Sequence, residues 1–283
     1  MEVEQFPLFH SRPFTTPHTF TDGIEGPACD SAQNVYAVNH TRPGTIGRIT
    51  PDGTSECWLR LPGGSIGNGI VFGPNGELYI ADYVGHTIFK VDRDSCAISV
   101  YVHEPKMSQP NDLAIAADRT IYASDPDWPS GTGQVWRINL HGKAVLLERD
   151  MGTTNGIEVS PNERTLYVNE TLQRSVWAYE RASDGGITNK RLFYQFPDFG
   201  LDGMRCDAAG NLFVTRHGKG AIAKIAPTGE LLREIHLGGL LCTNIAFGGA
   251  DGCTCYVTIA DQGMIEWFRV DIPGRSWCLW SKE

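Results

Sequence analysis

The 283-residue sequence predicts an all-β fold, a six-bladed β-propeller with four-stranded antiparallel blades around a central channel. Two observations carry this. Short β-branched and aromatic runs, such as ELYIADY (77–83), HTIFKVD (86–92) and AISVYVH (97–103), are parted by Gly, Pro, Asn and Asp clusters. No long stretch has amphipathic helical spacing. The runs also repeat at intervals of 42 to 47 residues, a period that suits one four-stranded blade per unit.

The repeats follow one another along the chain. They are EGPACDSAQNVYAVN from Glu25, NGIVFGPNGELYIAD from Asn68, NDLAIAADRTIYASD from Asn111, NGIEVSPNERTLYVNE from Asn155, DGMRCDAAGNLFVTR from Asp202 and NIAFGGADGCTCYVTI from Asn244. Each has a polar residue, a short strand, a tight turn and a second strand of the LYV type. Together they nearly exhaust the chain, so residues 1–283 read as a single propeller domain without a linker. The fourth unit is the longest, and its extra length is expected in a surface hairpin loop at RASDGGITNK (181–190). The ring closes with an outer strand either from the segment before Glu25, which contains PHTFTD, or from the C-terminal SWCLWS.

Composition narrows the function. Hydrophobic residues make up 41% and charged residues 20%, with a net charge of −9. That balance argues against nucleic-acid binding and a basic membrane surface. No window approaches the length of an apolar membrane span. The start, MEVEQFPLFH, has no positive region leading into an apolar run, so no secretory signal is expected. Eight cysteines without such a signal fit a cytoplasmic protein, and none form CxxC pairs. Cys253 and Cys255 are read as packing residues. No surface stripe predicts an oligomeric state.

The first residue of each repeat is the informative one. In a propeller the innermost strands line the channel, so Glu25, Asn68, Asn111, Asn155, Asp202 and Asn244 must form a ring. As Asn68-Gly69, Asn155-Gly156 and Asp202-Gly203 they are also ordinary turn dipeptides. That does not account for Glu25, or for a polar residue in the same register in every repeat. An oxygen-only ring suits a hard divalent cation such as Ca²⁺, Mg²⁺ or Mn²⁺. Glu25 and Asp202 would balance its charge, and two Asn carbonyls could complete the protein shell. At the end of the second strand a further polar set recurs, Asn39, Asp82, Asp125, Glu170 and Arg216, with Ile259 breaking the pattern. It is expected at the same channel mouth, making it largely acidic, with His217 beside Arg216.

A cation in an acid-lined cup can polarise a carbonyl or phosphoryl oxygen and activate water. Asp202 is the candidate base. Hydrolysis of an activated ester such as a lactone needs no covalent nucleophile. The sequence has no GxSxG elbow, P-loop or HExxH motif.

The chain resembles the regucalcin/gluconolactonase (senescence marker protein) family of six-bladed propellers, from about Phe20 to Gly274. The resemblance rests on IEGPACD (24–30), QPNDLAIAADRTIYASDP (109–126), TNGIEVSPNERTLYVNET (154–171), LDGMRCDAAGNLFVT (201–215) and TNIAFGG (243–249), in order at family spacing. It implies one catalytic divalent cation held by Glu25, Asn155 and Asp202, with Asn111 as ligand or substrate contact. Ca²⁺ is the foremost choice; Mg²⁺, Mn²⁺, Zn²⁺ and Fe²⁺ also serve relatives. It implies Asp202 as acid/base and hydrolysis of a small-molecule lactone, commonly a sugar-acid lactone.

Two departures bear on substrate. Animal regucalcins carry an Arg two residues before the Asn that matches Asn111, and here that residue is Gln109. The segment ASDPDWPSGTG (123–133) resembles the bacterial and fungal gluconolactonase branch, where Asp125 would lie near the site and Trp128 could cover it. Asn68, Gln109 and Asp125 are expected to orient substrate hydroxyls. Two rival readings are a phosphotriesterase resembling the diisopropyl fluorophosphatase-type propellers, and a non-catalytic propeller that binds a metal or ligand.

Overall fold

The structure, a computed structural model, describes residues 7–280. Most of MEVEQFPLFH and the last residue of SWCLWS lie outside them. The chain forms six four-stranded antiparallel sheets, each ordered from channel to rim. The innermost strands are Ala28–Cys29, Gly67–Phe72, Leu113–Ile115, Thr154–Val159, Met204–Cys206 and Cys242–Gly248. They define blades 1 to 6.

Burial follows radial position. Second strands such as Leu78–Asp82 and Leu212–Arg216 are buried along their whole length, because both faces meet a neighbouring blade. Outer strands such as Ser55–Arg60 are largely open to solvent. The apolar core is accordingly divided into six clusters, one in each gap between adjacent blades. Phe193, Phe196 and Tyr167 of blade 4 meet Met204, Leu212 and Val214 of blade 5, for example. Cys255 belongs to the cluster between blades 5 and 6, and Cys253 packs against it, as expected of packing residues. The extra length of blade 4 forms a turn between Ser175–Arg181 and Ile187–Gln195. Its Asp184 and Gly185 carbonyls accept hydrogen bonds from Arg137 Nη1 and Tyr122 Oη of blade 3.

Closure comes from the N-terminal side, upstream of PHTFTD. Arg12–Pro13 pairs antiparallel with Met264–Arg269 as the outer strand of blade 6. Phe9 and Phe14 N–H groups donate to Arg269 and Ile265, and the Phe14 ring lies 4.9 Å from Tyr256. Phe20 of PHTFTD instead bridges His40 of blade 1. SWCLWS cannot supply the strand, because Pro273-Gly274 turns the chain inward and Arg275–Trp280 is a short helix under the channel.

Removing the chain through Thr15 should therefore leave blade 6 three-stranded with an open edge. Each lost backbone bond is worth on the order of 1 kcal/mol, and the aromatic pair adds to it. Thermal or urea unfolding should show a clear loss of stability; an unchanged midpoint would mean that the clasp does not hold the ring closed.

Candidate metal centre in the channel

The six ring residues stand where the innermost strands begin, and all are buried except Asp202, whose side chain is 14% exposed. The glycine that follows four of them explains how they fit. A Cβ at Gly69 would lie 2.7 Å from the Asn111 carbonyl oxygen, and one at Gly156 2.5 Å from that of Asp202. One at Gly203 would overlap the Asn244 amide. Gly69, Gly156 and Gly203 do not have left-handed backbone. The Asn-Gly and Asp-Gly pairs are therefore not turns. The glycines are contact points that let each blade seat against the next residue of the ring.

The ring side chains leave acceptors without donors. Glu25 Oε2 accepts from the Gly26 N–H and, at 3.0 Å, from Asn244 Nδ2, while Oε1 is buried with no partner. Asn155 Nδ2 donates to Thr171 Oγ1 at 3.0 Å, which commits the amide's donor and leaves Oδ1 buried without one. Asn111 Oδ1 is likewise buried and unpartnered. Asp202 lies close enough to Glu25 that the Glu25 carboxylate raises its proton affinity. Burial is the main cause of both shifts, with Asp112 adding to each; Glu25 is pushed up to about 7 and Asp202 well above the ordinary carboxylate range.

Buried acceptors without donors are costly, and so are adjoining carboxylates. Three orphaned oxygens and a second carboxylate fit an oxygen-seeking divalent cation, which would satisfy the first and neutralise the second. Among the described residues no group of three or more His, Cys, Asp and Glu could hold a metal, so amides would have to complete such a site.

Beneath the ring lies a pair that the repeats did not reveal. Blade 3 has Asp112 where four other blades have glycine. Its buried carboxylate takes Arg205 Nη1 at 2.8 Å and Nη2 at 2.9 Å, joining blades 3 and 5. The break in the glycine pattern was the available signal. Thr171, which orients Asn155, and Asn169, whose Nδ2 donates to the Asp202 carbonyl at 2.5 Å, were also missed.

The second polar set does not form an acidic mouth. Each member tethers the loop that enters its own blade. Asn39 donates to Gly23 O, Asp82 accepts from Ile66 N, Glu170 from Gly152 N, and Arg216 donates to Asp198 O. Blade 6, with Ile259, uses Asp261 for the Leu240 and Leu241 N–H groups. Asp125 is fully buried and accepts from Ser108 N, Gln109 N, Gln134 Nε2 and Trp136 Nε1. The expectation that it orients substrate is corrected on that ground: its oxygens are taken and no surface of it is open.

The remaining candidates divide. His217 Nδ1 lies 3.6 Å from Asp202 Oδ2 and 3.2 Å from Cys242 O, with its ring 35% exposed. Gln109 is half-buried, with Oε1 unpartnered. Asn68 is buried beside Gly26. Trp128 is half-buried in the turn after Ile121–Asp127.

Fold and site together define a six-bladed propeller with polar side chains gathered at one end of the channel. The family model for the SMP-30/gluconolactonase/LRE-like region matches residues 12–261, and the chain belongs to that family. It is 29% identical to a gluconolactonase of Zymomonas mobilis over 74% of this chain and 68% of that protein. It is 27% identical to the pentonolactonase XacC of Haloferax volcanii over 77% of this chain and 74% of that one. The calcium-binding protein regucalcin of Agrobacterium tumefaciens superposes with a TM-score of 0.82 at 19% identity, covering 95% and 96% of the two chains; this likeness is one of fold.

Because burial and the nearby Asp112 raise both carboxylates, the metal-free ring should hold a proton at neutral pH and release it when a cation binds. Stability from this pair is present below the ordinary carboxylate range and is lost as pH rises through about 7. Calorimetry of Ca²⁺ or Mn²⁺ binding in buffers of different ionisation enthalpy should show proton release, with weaker affinity at pH 6 than at pH 8. Affinity independent of pH would contradict this arrangement.

Proposed function

We propose that the protein is a metal-dependent lactonase acting on a sugar-acid lactone. The observation that carries this is the three orphaned oxygens of Glu25, Asn111 and Asn155 around the Asp202 carboxylate. Membership of a family that includes named gluconolactonases and pentonolactonases supports the substrate class.

A divalent cation held by Glu25, Asn111, Asn155 and Asp202 would supply Lewis-acid polarisation of the lactone carbonyl and bring water to it. The protein's own residues do the rest. Asp202 takes the proton of the attacking water as its oxygen bonds to the carbonyl carbon. It returns that proton to the ring oxygen as the C–O bond breaks, giving the hydroxy acid. Burial gives Asp202 a stronger hold on that proton than an exposed carboxylate would have, which suits the base role. His217, at 3.6 Å and part-exposed, can pass a proton between Asp202 and solvent. Asn155 is held in place by Thr171, and Asn169 fixes the Asp202 backbone. Asn68 and Gln109 face the substrate hydroxyls, and Trp128 covers the mouth.

Compartment is part of the same proposal. Cys29, Cys57, Cys96, Cys206, Cys242, Cys253 and Cys255 carry free thiols, which suits a reducing, cytoplasmic setting. No helix among the described residues is long and apolar enough to cross a membrane.

The test is proton release from a panel of aldonolactones by chelator-stripped protein, with and without added Ca²⁺, Mg²⁺, Mn²⁺ or Zn²⁺. Turnover should return with at least one ion. Asp202→Ala should lower kcat by about 100-fold or more with the far-UV circular dichroism unchanged. Full activity in that variant would remove Asp202 from the mechanism, and no turnover with any ion would remove the lactonase reading.

A further inference from the structure

The channel has a second end. Below the Asp112–Arg205 pair, a cavity of about 270 Å³ opens between the lower ends of the innermost strands and the C-terminal helix. None of Glu25, Asn111, Asn155 and Asp202 lines it. It is slightly smaller than drug-sized sites of about 300–1,000 Å³, and so suits a small molecule.

Its walls are apolar and aromatic, including Ile70, Phe72, Ile115, Phe247 and Trp277. Trp277 is seated by Gly252, where any Cβ would meet the indole ring and where φ is +72°. The helix also sends Arg275 across the channel floor. Its Nη1 donates to Ile115 O at 3.1 Å and lies 3.4 Å from Glu158 Oε1, and its Nη2 bonds Glu163 at 2.5 Å.

One polar side chain in this cavity is left half-used. Glu158 is 4% exposed and lines the cavity. Its Oε1 accepts from Val159 N and Arg275 Nη1, whereas no donor among the described residues reaches Oε2. The surrounding charge is negative on balance. Arg205 is matched by Asp112, and Arg275 faces both Glu158 and Glu163, with Asp30 at the edge. An anion would enter against that balance, and the unpartnered Nε of Arg275 is itself buried. A cation with an apolar body would give Glu158 its missing donor and lay its hydrocarbon on Phe72, Phe247 and Trp277.

The geometry points to a second ligand site at the floor of the channel, for a small organic cation with an aromatic or aliphatic body, with Glu158 Oε2 as the anchor. This site is separate from the metal centre, and it stands whether or not the lactonase reading does.

Three probes of nearly one shape test it by calorimetry: phenethylamine, 2-phenylethanol and 3-phenylpropanoate. The amine should bind more tightly than the alcohol by about tenfold, the effect of one charge-assisted hydrogen bond, and the carboxylate should not bind. Chelating metal should leave the amine's affinity unchanged. Glu158→Gln should bring the amine down to the alcohol's affinity. Since that change touches Arg275, a second variant guards the result. Ser31→Trp with Ala250→Trp alters exposed turn residues at the cavity edge, and should abolish amine binding while leaving any lactone turnover intact. Equal binding of amine and alcohol, no amine binding below roughly 10 mM, or binding unaffected by the blocked edge would each overturn the proposal.

Discussion

Six strand ends converge on one axis, and that crowding decides what each can carry. In four blades the residue one step past the ring is a glycine, Gly26, Gly69, Gly156 or Gly203, where a Cβ would strike the neighbouring blade; blades 3 and 6 carry Asp112 and Ile245 there. The ring residue itself then has nowhere to point but the channel, where solvent is scarce and its neighbours are its own equivalents. Polar side chains in such a place must satisfy one another or be satisfied by something bound. Asn244 is satisfied within the ring: it donates to Glu25 and its Oδ1 takes the Ile245 N–H. Glu25, Asn111 and Asn155 each keep one oxygen in reserve.

The charged residue at this position in blade 3 divides the channel. Asp112 takes the place of a glycine, and its charge is met by Arg205 from the next blade but one. The pair separates a carboxylate-and-amide centre above from an aromatic-walled cavity below. It also acts on the centre: Asp112 strengthens the hold of Glu25 and Asp202 on protons, and Arg205 weakens it for Glu25. Burial remains the larger influence on both. The upper centre is therefore poised to exchange a proton for a cation, as an exposed carboxylate pair would not be.

Much of this was legible in the sequence because the repeat fixes both strand period and register. The six-fold pattern predicted the blades, and shared register predicted the ring from Glu25 to Asn244. What register cannot tell is which way a polar side chain turns at a strand end. Asn39, Asp82 and Asp125 share a register, with Glu170 one residue further on, yet they turn to the loop backbone. The same ambiguity hid the meaning of the Asn-Gly pairs, which serve close approach rather than turning. Closure was open because a short segment at either end of the chain could supply the outer strand. Pro273-Gly274 settles it by ending the strand path on one side. Thr171 and Asn169 were beyond reach, since orienting a neighbour leaves no periodic trace.

The central claim is that the orphaned oxygens of Glu25, Asn111 and Asn155, with Asp202, are the ligands of one divalent cation. Anomalous diffraction from crystals of the protein soaked with Mn²⁺ tests it most directly. The account predicts a single strong peak on the channel axis within coordination distance of those four side chains, lost in Asp202→Ala. A channel without a peak, or an ion bound only elsewhere, would contradict it.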